Sequence, residues 1–96
     1  MEKFKVIFRK VKNPYTGEFE VVAFFPEASA NYGNILSYMH IGQHSEASIE
    51  FYWSTSKVSA EEFKPLLDEL RAIYDDVELV VRQKLNYKDL QRAWRN

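Results

Sequence analysis

The stretch that decides the fold is EFEVVAFFP, residues 18–26. In an extended chain successive side chains point to opposite faces. Val21, Ala23 and Phe25 therefore share one face, and Val22 and Phe24 share the other. Both sets are apolar, so this strand belongs inside a sheet with cover on each side. Pro26 ends it. The expected partner is KFKVIFRKVK, residues 3–12, where Phe4, Val6 and Phe8 alternate with Lys3, Lys5 and Arg9. Between the two lies NPYTGE, with Pro14 and Gly17 in turn positions, which predicts an antiparallel hairpin.

Working outward, ILSYMHIGQH (residues 35–44) predicts a third strand and HSEA a connection. SIEFYWS (residues 48–54) predicts a fourth, with Ile49, Phe51 and Trp53 on one face and Glu50 and Tyr52 on the other. Gly42 marks a bulge or bend. The best helix covers residues 60–75. Ser59 is its N-cap and Glu62 completes a capping box. Phe63, Leu66, Leu67, Leu70, Ile73 and Tyr74 form one apolar stripe. Pro65 predicts a kink or an irregular first turn. VELVVRQK (residues 77–84) reads as a fifth strand. YKDLQRAWR (residues 87–95) reads as a short helix capped by Asn86, with Tyr87, Leu90, Ala93 and Trp94 docked. The order β-β-β-β-α-β-α predicts an α+β fold: an antiparallel sheet with the main helix across one face. The second apolar face of residues 18–26 then requires the C-terminal helix, the 27–34 loop, or another copy of the chain as a homodimer.

The chain of 96 residues makes a single domain. It is 46% hydrophobic and 28% charged, a globular composition rather than a disordered one. The absence of cysteine excludes a disulfide framework, a thiolate metal site and a cysteine nucleophile, and suits a cytoplasmic setting. VVAFF, the longest apolar run, is too short for a bilayer, so no membrane partner is expected. The net charge of −1 hides a pattern: residues 1–12 and 82–96 each carry +4, residues 13–58 carry −4, and residues 59–81 carry −5.

Few residues suggest chemistry. His40 and His44 have a spacing that lets two imidazoles share a face, and Glu46 or Glu50 would complete a metal site. The zincin pattern, however, needs a glutamate where Ile41 stands. Ser37, Ser45 and Ser48 have no GxSxG context. Three glycines allow no phosphate-cradling loop, so no cofactor is expected. Asp75, Asp76 and Glu78 read as a solvated turn. Basic side chains gather at the ends: Lys3, Lys5 and Arg9 on the first strand, Arg82 and Lys84 on the fifth, and Lys88, Arg92 and Arg95 on the last helix. Were the two strands neighbours, these would form a phosphate-binding stripe, with Tyr87 and Trp94 able to stack on bases.

VIFRK, VVAFFPE, SYMHIGQHS and EEFKPLLDEL, in that order over most of the chain, resemble small proteins of tailed phages, plasmids and other bacterial mobile elements. The resemblance implies a cytoplasmic accessory protein and assigns no catalytic residue. It draws attention to the block around Tyr38, His40, Gly42, Gln43 and His44. The sequence thus reads as a non-enzymatic binding module engaging a protein or nucleic acid. Its expected contact residues are Tyr38, His40, Gln43 and His44, with Tyr52 nearby. The alternatives are a metal-dependent enzyme built on His40 and His44, and a nucleic-acid binder using the terminal cations.

Overall fold

Strand β1 (Glu2–Lys12) and strand β2 (Phe19–Phe25) form the expected antiparallel hairpin, with Phe8 opposite Ala23 and Lys12 opposite Phe19. The Asn13 side-chain oxygen accepts the Tyr15 amide at 2.8 Å and ties the turn. Gly17 takes a φ of 76°, a conformation that a side chain would strain. The computed structural model describes residues 1–39 and 43–94, with Gln43 as backbone only. Strands β3 (Asn34–Met39) and β4 (Gln43–Ser48) extend the sheet antiparallel, Tyr38 facing His44 across the pair. The sheet order is β4-β3-β2-β1-β5, where β5 is Val77–Arg82.

Two expectations change. β5 lies parallel to β1, with Glu2 opposite Val77 and Ile7 opposite Arg82, so the sheet is mixed rather than wholly antiparallel. A helical crossover, not a tight turn, delivers β5, and a crossover permits the parallel direction. Second, residues 49–54 are not a strand. They form helix α1 (Ile49–Ser54), capped by Ser48, whose hydroxyl accepts the Phe51 amide at 3.1 Å. The expected third strand, residues 35–44, instead ends at Met39, and β4 takes up its last residues together with the stretch read as connection.

The helices occupy both faces. Helix α2 (Ala60–Ile73) lies on the face of Val6, Phe8, Ala23, Phe25, Tyr38 and Leu79, and buries Leu66, Leu67 and Leu70 there. Phe63 stacks on Phe8 with ring centroids 4.5 Å apart. The capping box between Ser59 and Glu62 is present, and the helix runs on through Pro65. On the other face, Ile7, Val22, Phe24 and Ile35 meet Tyr52 of α1 and Leu90 of helix α3 (Tyr87–Trp94). Residues 55–59 carry the chain from one face to the other around β1. Ser56 and Lys10 exchange both backbone hydrogen bonds on the way, at 2.9 and 2.8 Å. Arg9 secures this crossing. Its guanidinium donates to the Thr55 hydroxyl (3.0 Å) and carbonyl (2.6 Å), and lies 5.3 Å from the Tyr52 ring centre.

Val22, Ala23 and Phe24 have no exposed surface at all. Burying each large apolar side chain contributes about 1.5–3 kcal/mol. Neither helical layer is therefore dispensable. Leu70→Ala, in the α2 layer, and Leu90→Ala, in the α3 layer, should each cost about 2–5 kcal/mol in urea unfolding; a near-zero loss at either would show that its layer adds nothing.

The α2 cap also sets a pH dependence. Glu62 accepts from Lys10 (3.0 Å) and from Ser59, and chiefly the Lys10 bond holds its carboxyl below the ordinary 4.5. The folded chain keeps this carboxylate ionised at pH values where the unfolded chain has protonated it. The contribution is therefore full above the ordinary value and is lost as pH falls through the lowered one. Glu62→Gln should make the acid limb of stability against pH shallower, as followed by urea midpoints.

Candidate functional site

β3 and β4 place Tyr38 and His44 side by side on the α2 face, with ring centroids 4.8 Å apart. The last turn of α2 and its cap bring two further groups to them. The buried Tyr38 donates its hydroxyl to Glu69. The Tyr74 hydroxyl and His44 Nε2 share a hydrogen bond of 2.5 Å. Burial pushes the Tyr74 phenol above its ordinary value, because its anion would be poorly solvated there. Phe25 completes the cluster, its ring centre 6.0 Å from both His44 and Tyr74.

Beside the cluster the sheet runs on past the end of α2 and leaves an apolar groove of about 190 Å³. Phe4, Phe25, Leu36, Tyr74 and Leu79 line it, with Ala28 of the β2–β3 loop at one side. Lys5 and Glu27 also line it, and the Glu27 carboxylate accepts the Lys5 backbone amide at 2.8 Å, just beyond the end of β2. The groove is large enough for one apolar side chain or ring.

The expected contact residues do not all converge. Tyr38 is a core residue with 1% exposure, while His44 is exposed and faces Tyr74. Tyr52 is not near them. It lies on the opposite face of the sheet, buried under Arg9 and edge-on to Phe24 at 5.0 Å, because residues 49–54 coil into a helix. Burial raises its phenol too, with Arg9 partly offsetting the shift. His40, Gly42 and the Gln43 side chain lie outside the described residues. Glu46 accepts the Asn34 amide group and the Asn31 backbone, both at 3.0 Å, and these bonds hold its carboxyl below the ordinary range. Glu50 is on α1. Among the described residues, no group of three or more His, Asp and Glu side chains is placed to hold a metal ion. Ser37 gives its hydroxyl to the Ser45 carbonyl at 2.9 Å.

The basic residues sort themselves differently. β1 and β5 are neighbours, as a continuous stripe requires. Two of its members are nonetheless engaged internally: Arg9 at Thr55, and Lys5 with Asp89 at 2.9 Å. Asp89 is 3% exposed, and the ammonium of Lys5 compensates its buried charge. Arg92 reaches the same carboxylate only at 3.8 Å and stays largely in solvent. Lys3, Arg82, Lys84 and Lys88 make no side-chain hydrogen bond or ion pair among the described residues. Arg95 lies outside them.

The outer surface of α3 carries a second site. Tyr87, Gln91 and Trp94 recur at helical spacing along it. With Tyr32 of the β2–β3 loop they line an open slot of about 260 Å³. The Trp94 indole donates to the Asn34 carbonyl at 2.7 Å, which fixes the ring. Tyr32 and Tyr87 approach Trp94 with centroids at 4.9 and 5.7 Å. Tyr87 is not docked as expected but 53% exposed, and Tyr32 is 85% exposed. Lys88 and Arg92 are also exposed on α3, where Arg92 lines a separate cleft with Glu27 and Asp89. Tyr32 was invisible to periodicity, since a loop has none; the one signal was a lone aromatic beside Gly33.

Comparison with protein-family models, with curated proteins and with solved structures finds no match. Two sites thus stand on geometry alone: an apolar groove beside His44 and Tyr74, and an aromatic slot on α3. Among the described residues, no helix is long and apolar enough to cross a membrane.

The two raised phenols give a check on the sheet's faces. An alkaline absorbance titration should show part of the tyrosine signal appearing above the ordinary 10.0. Tyr52→Phe and Tyr74→Phe should each remove amplitude from that late part. Because the unfolded chain ionises these groups first, stability should fall as pH rises past 10.0. Loss of amplitude from the early part alone would contradict the burial.

Proposed function

We propose that the chain is a non-enzymatic binding module that grips single-stranded nucleic acid on its α3 layer. The observation that carries this reading is the slot of Tyr32, Tyr87 and Trp94, on a helix that also exposes Lys88 and Arg92. A base needs an exposed ring to stack on, and a phosphate needs a cation within reach of that ring. The α3 layer offers both within two helical turns. The acidic groups of α2, Glu61, Glu62 and Asp68 among them, belong to the helix on the far side of the sheet. The resemblance to mobile-element proteins supports a cytoplasmic accessory role. A homodimer would present the layer twice.

The apolar groove favours a second reading, a protein partner that inserts one apolar side chain beside Tyr74 and His44. Variants separate the two. In fluorescence anisotropy with labelled oligothymidylate, binding should appear at low salt and weaken as salt rises. Tyr87→Ala should cost about 1–3 kcal/mol, the worth of one stacked base. Lys88→Glu should weaken every sequence alike and flatten the plot of log affinity against log salt by about 0.7. No binding at low salt, or binding indifferent to both substitutions, overturns the nucleic-acid reading. A pulldown from cell extract whose partner is lost with Tyr74→Ala but kept with Tyr87→Ala would favour the groove.

A further inference from the structure

β5 is an edge strand. Its inner side pairs with β1 from Val77 to Arg82, and no other backbone hydrogen bond from residues 78–82 is made among the described residues. An open edge is a template for another strand. Natural edges are usually blunted by charge, and this one is charged. Its charges, however, are not scattered. Reading through β5 and its flanks, Asp76 and Glu78 precede Val80, and Arg82 and Lys84 follow it at the same distances.

That arrangement is its own complement when reversed. We propose that β5 pairs antiparallel with β5 of a second copy of this chain, about a twofold axis at Val80. In this register Glu78 faces Arg82 of the other copy, and symmetry makes the pair occur twice; Asp76 and Lys84, just beyond the two ends of the strand, add opposite charge at each end. Residues directly opposite across an antiparallel pair point to the same side of the sheet, so the charges meet. On the other side Leu79 faces Val81, and the half-buried Val77 and Val81 lose exposed surface. Moving the axis by one residue takes Glu78 and Arg82 out of register with each other and sets one of them against Val80. Parallel pairing in register sets like charge on like.

The local structure leaves these groups available. Glu78, Arg82 and Lys84 are exposed. Lys3 stands beside Glu78 in the β1–β5 register, yet makes no ion pair with it among the described residues. The product is one continuous sheet of both copies, closed by symmetry with no free β5 edge. A twofold axis through a shared sheet is perpendicular to it, so both α3 layers lie on one side and both α2 layers on the other. The inference rests on the β5 edge and not on the nucleic-acid reading; neither Tyr87 nor Lys88 takes part. A single six-residue strand pairing is small for a protein interface, so the dimer is reversible and depends on concentration.

Charge reversal tests it. By sedimentation equilibrium, the wild-type chain should move from monomer to dimer mass as concentration rises. Glu78→Arg alone sets Arg against Arg82, and Arg82→Glu alone sets Glu against Glu78, each twice. Either should weaken association by about tenfold or more. The double variant Glu78→Arg with Arg82→Glu restores opposite signs. So does an equimolar mixture of the two single variants, in which each copy complements the other. Recovery in both arms distinguishes pairing from damage to the fold. A wild-type chain that stays monomeric throughout, single variants that associate as tightly as wild type, or no recovery on mixing overturns the proposal.

Discussion

The structure depends on one constraint: β2 is apolar on both faces, and both must leave water. Val22 and Phe24 point one way, Ala23 and Phe25 the other, and all four are buried. A helix on one face cannot satisfy such a strand. The fold meets the demand with α2 against Ala23 and Phe25, and with Tyr52 of α1 and Leu90 of α3 against Val22 and Phe24. The chain must then cross from one layer to the other, which it does at residues 55–59 under the hold of Arg9 and the Lys10–Ser56 pair. The same two-sided cover removes the original ground for a dimer through this face.

Much of this was legible where a local signal and a tertiary demand agreed. The hairpin of β1 and β2 follows from strict alternation with turn residues between. The α2 helix follows from a cap, a capping box and an apolar stripe, and Pro65 did not prevent it. The misreading of residues 48–54 is physical. Ile49, Phe51 and Trp53 alternate well enough for a strand, and a segment of six residues carries no decisive period. What decides it is the uncovered face of β2, which draws Tyr52 inward and leaves Trp53 65% exposed. The Ser48 cap was the available clue. The direction of β5 was equally hidden, because it depends on which side of the sheet the preceding helix crosses.

The candidate sites show the same division. His44 was legible as a residue of interest, but its partners, Tyr74 and Glu69's neighbour Tyr38, come together only through packing. In the sequence Tyr74 looks like one more member of a helix stripe. The slot on α3 joins Tyr32 to Trp94 across 62 positions of chain, which no spacing rule connects. The cations were visible as a cluster, yet only coordinates separate Lys5 and Arg9, which hold the fold together, from Lys88 and Arg92, which face solvent.

Native-state hydrogen exchange of the backbone amides tests the central constraint most directly. If β2 is sealed by both helical layers, the paired amides of Val22, Ala23 and Phe24 should exchange only through global unfolding, with protection equal to the full unfolding free energy. Exchange of these amides through a cheaper local opening, while β3 or β4 stays closed, would contradict the account.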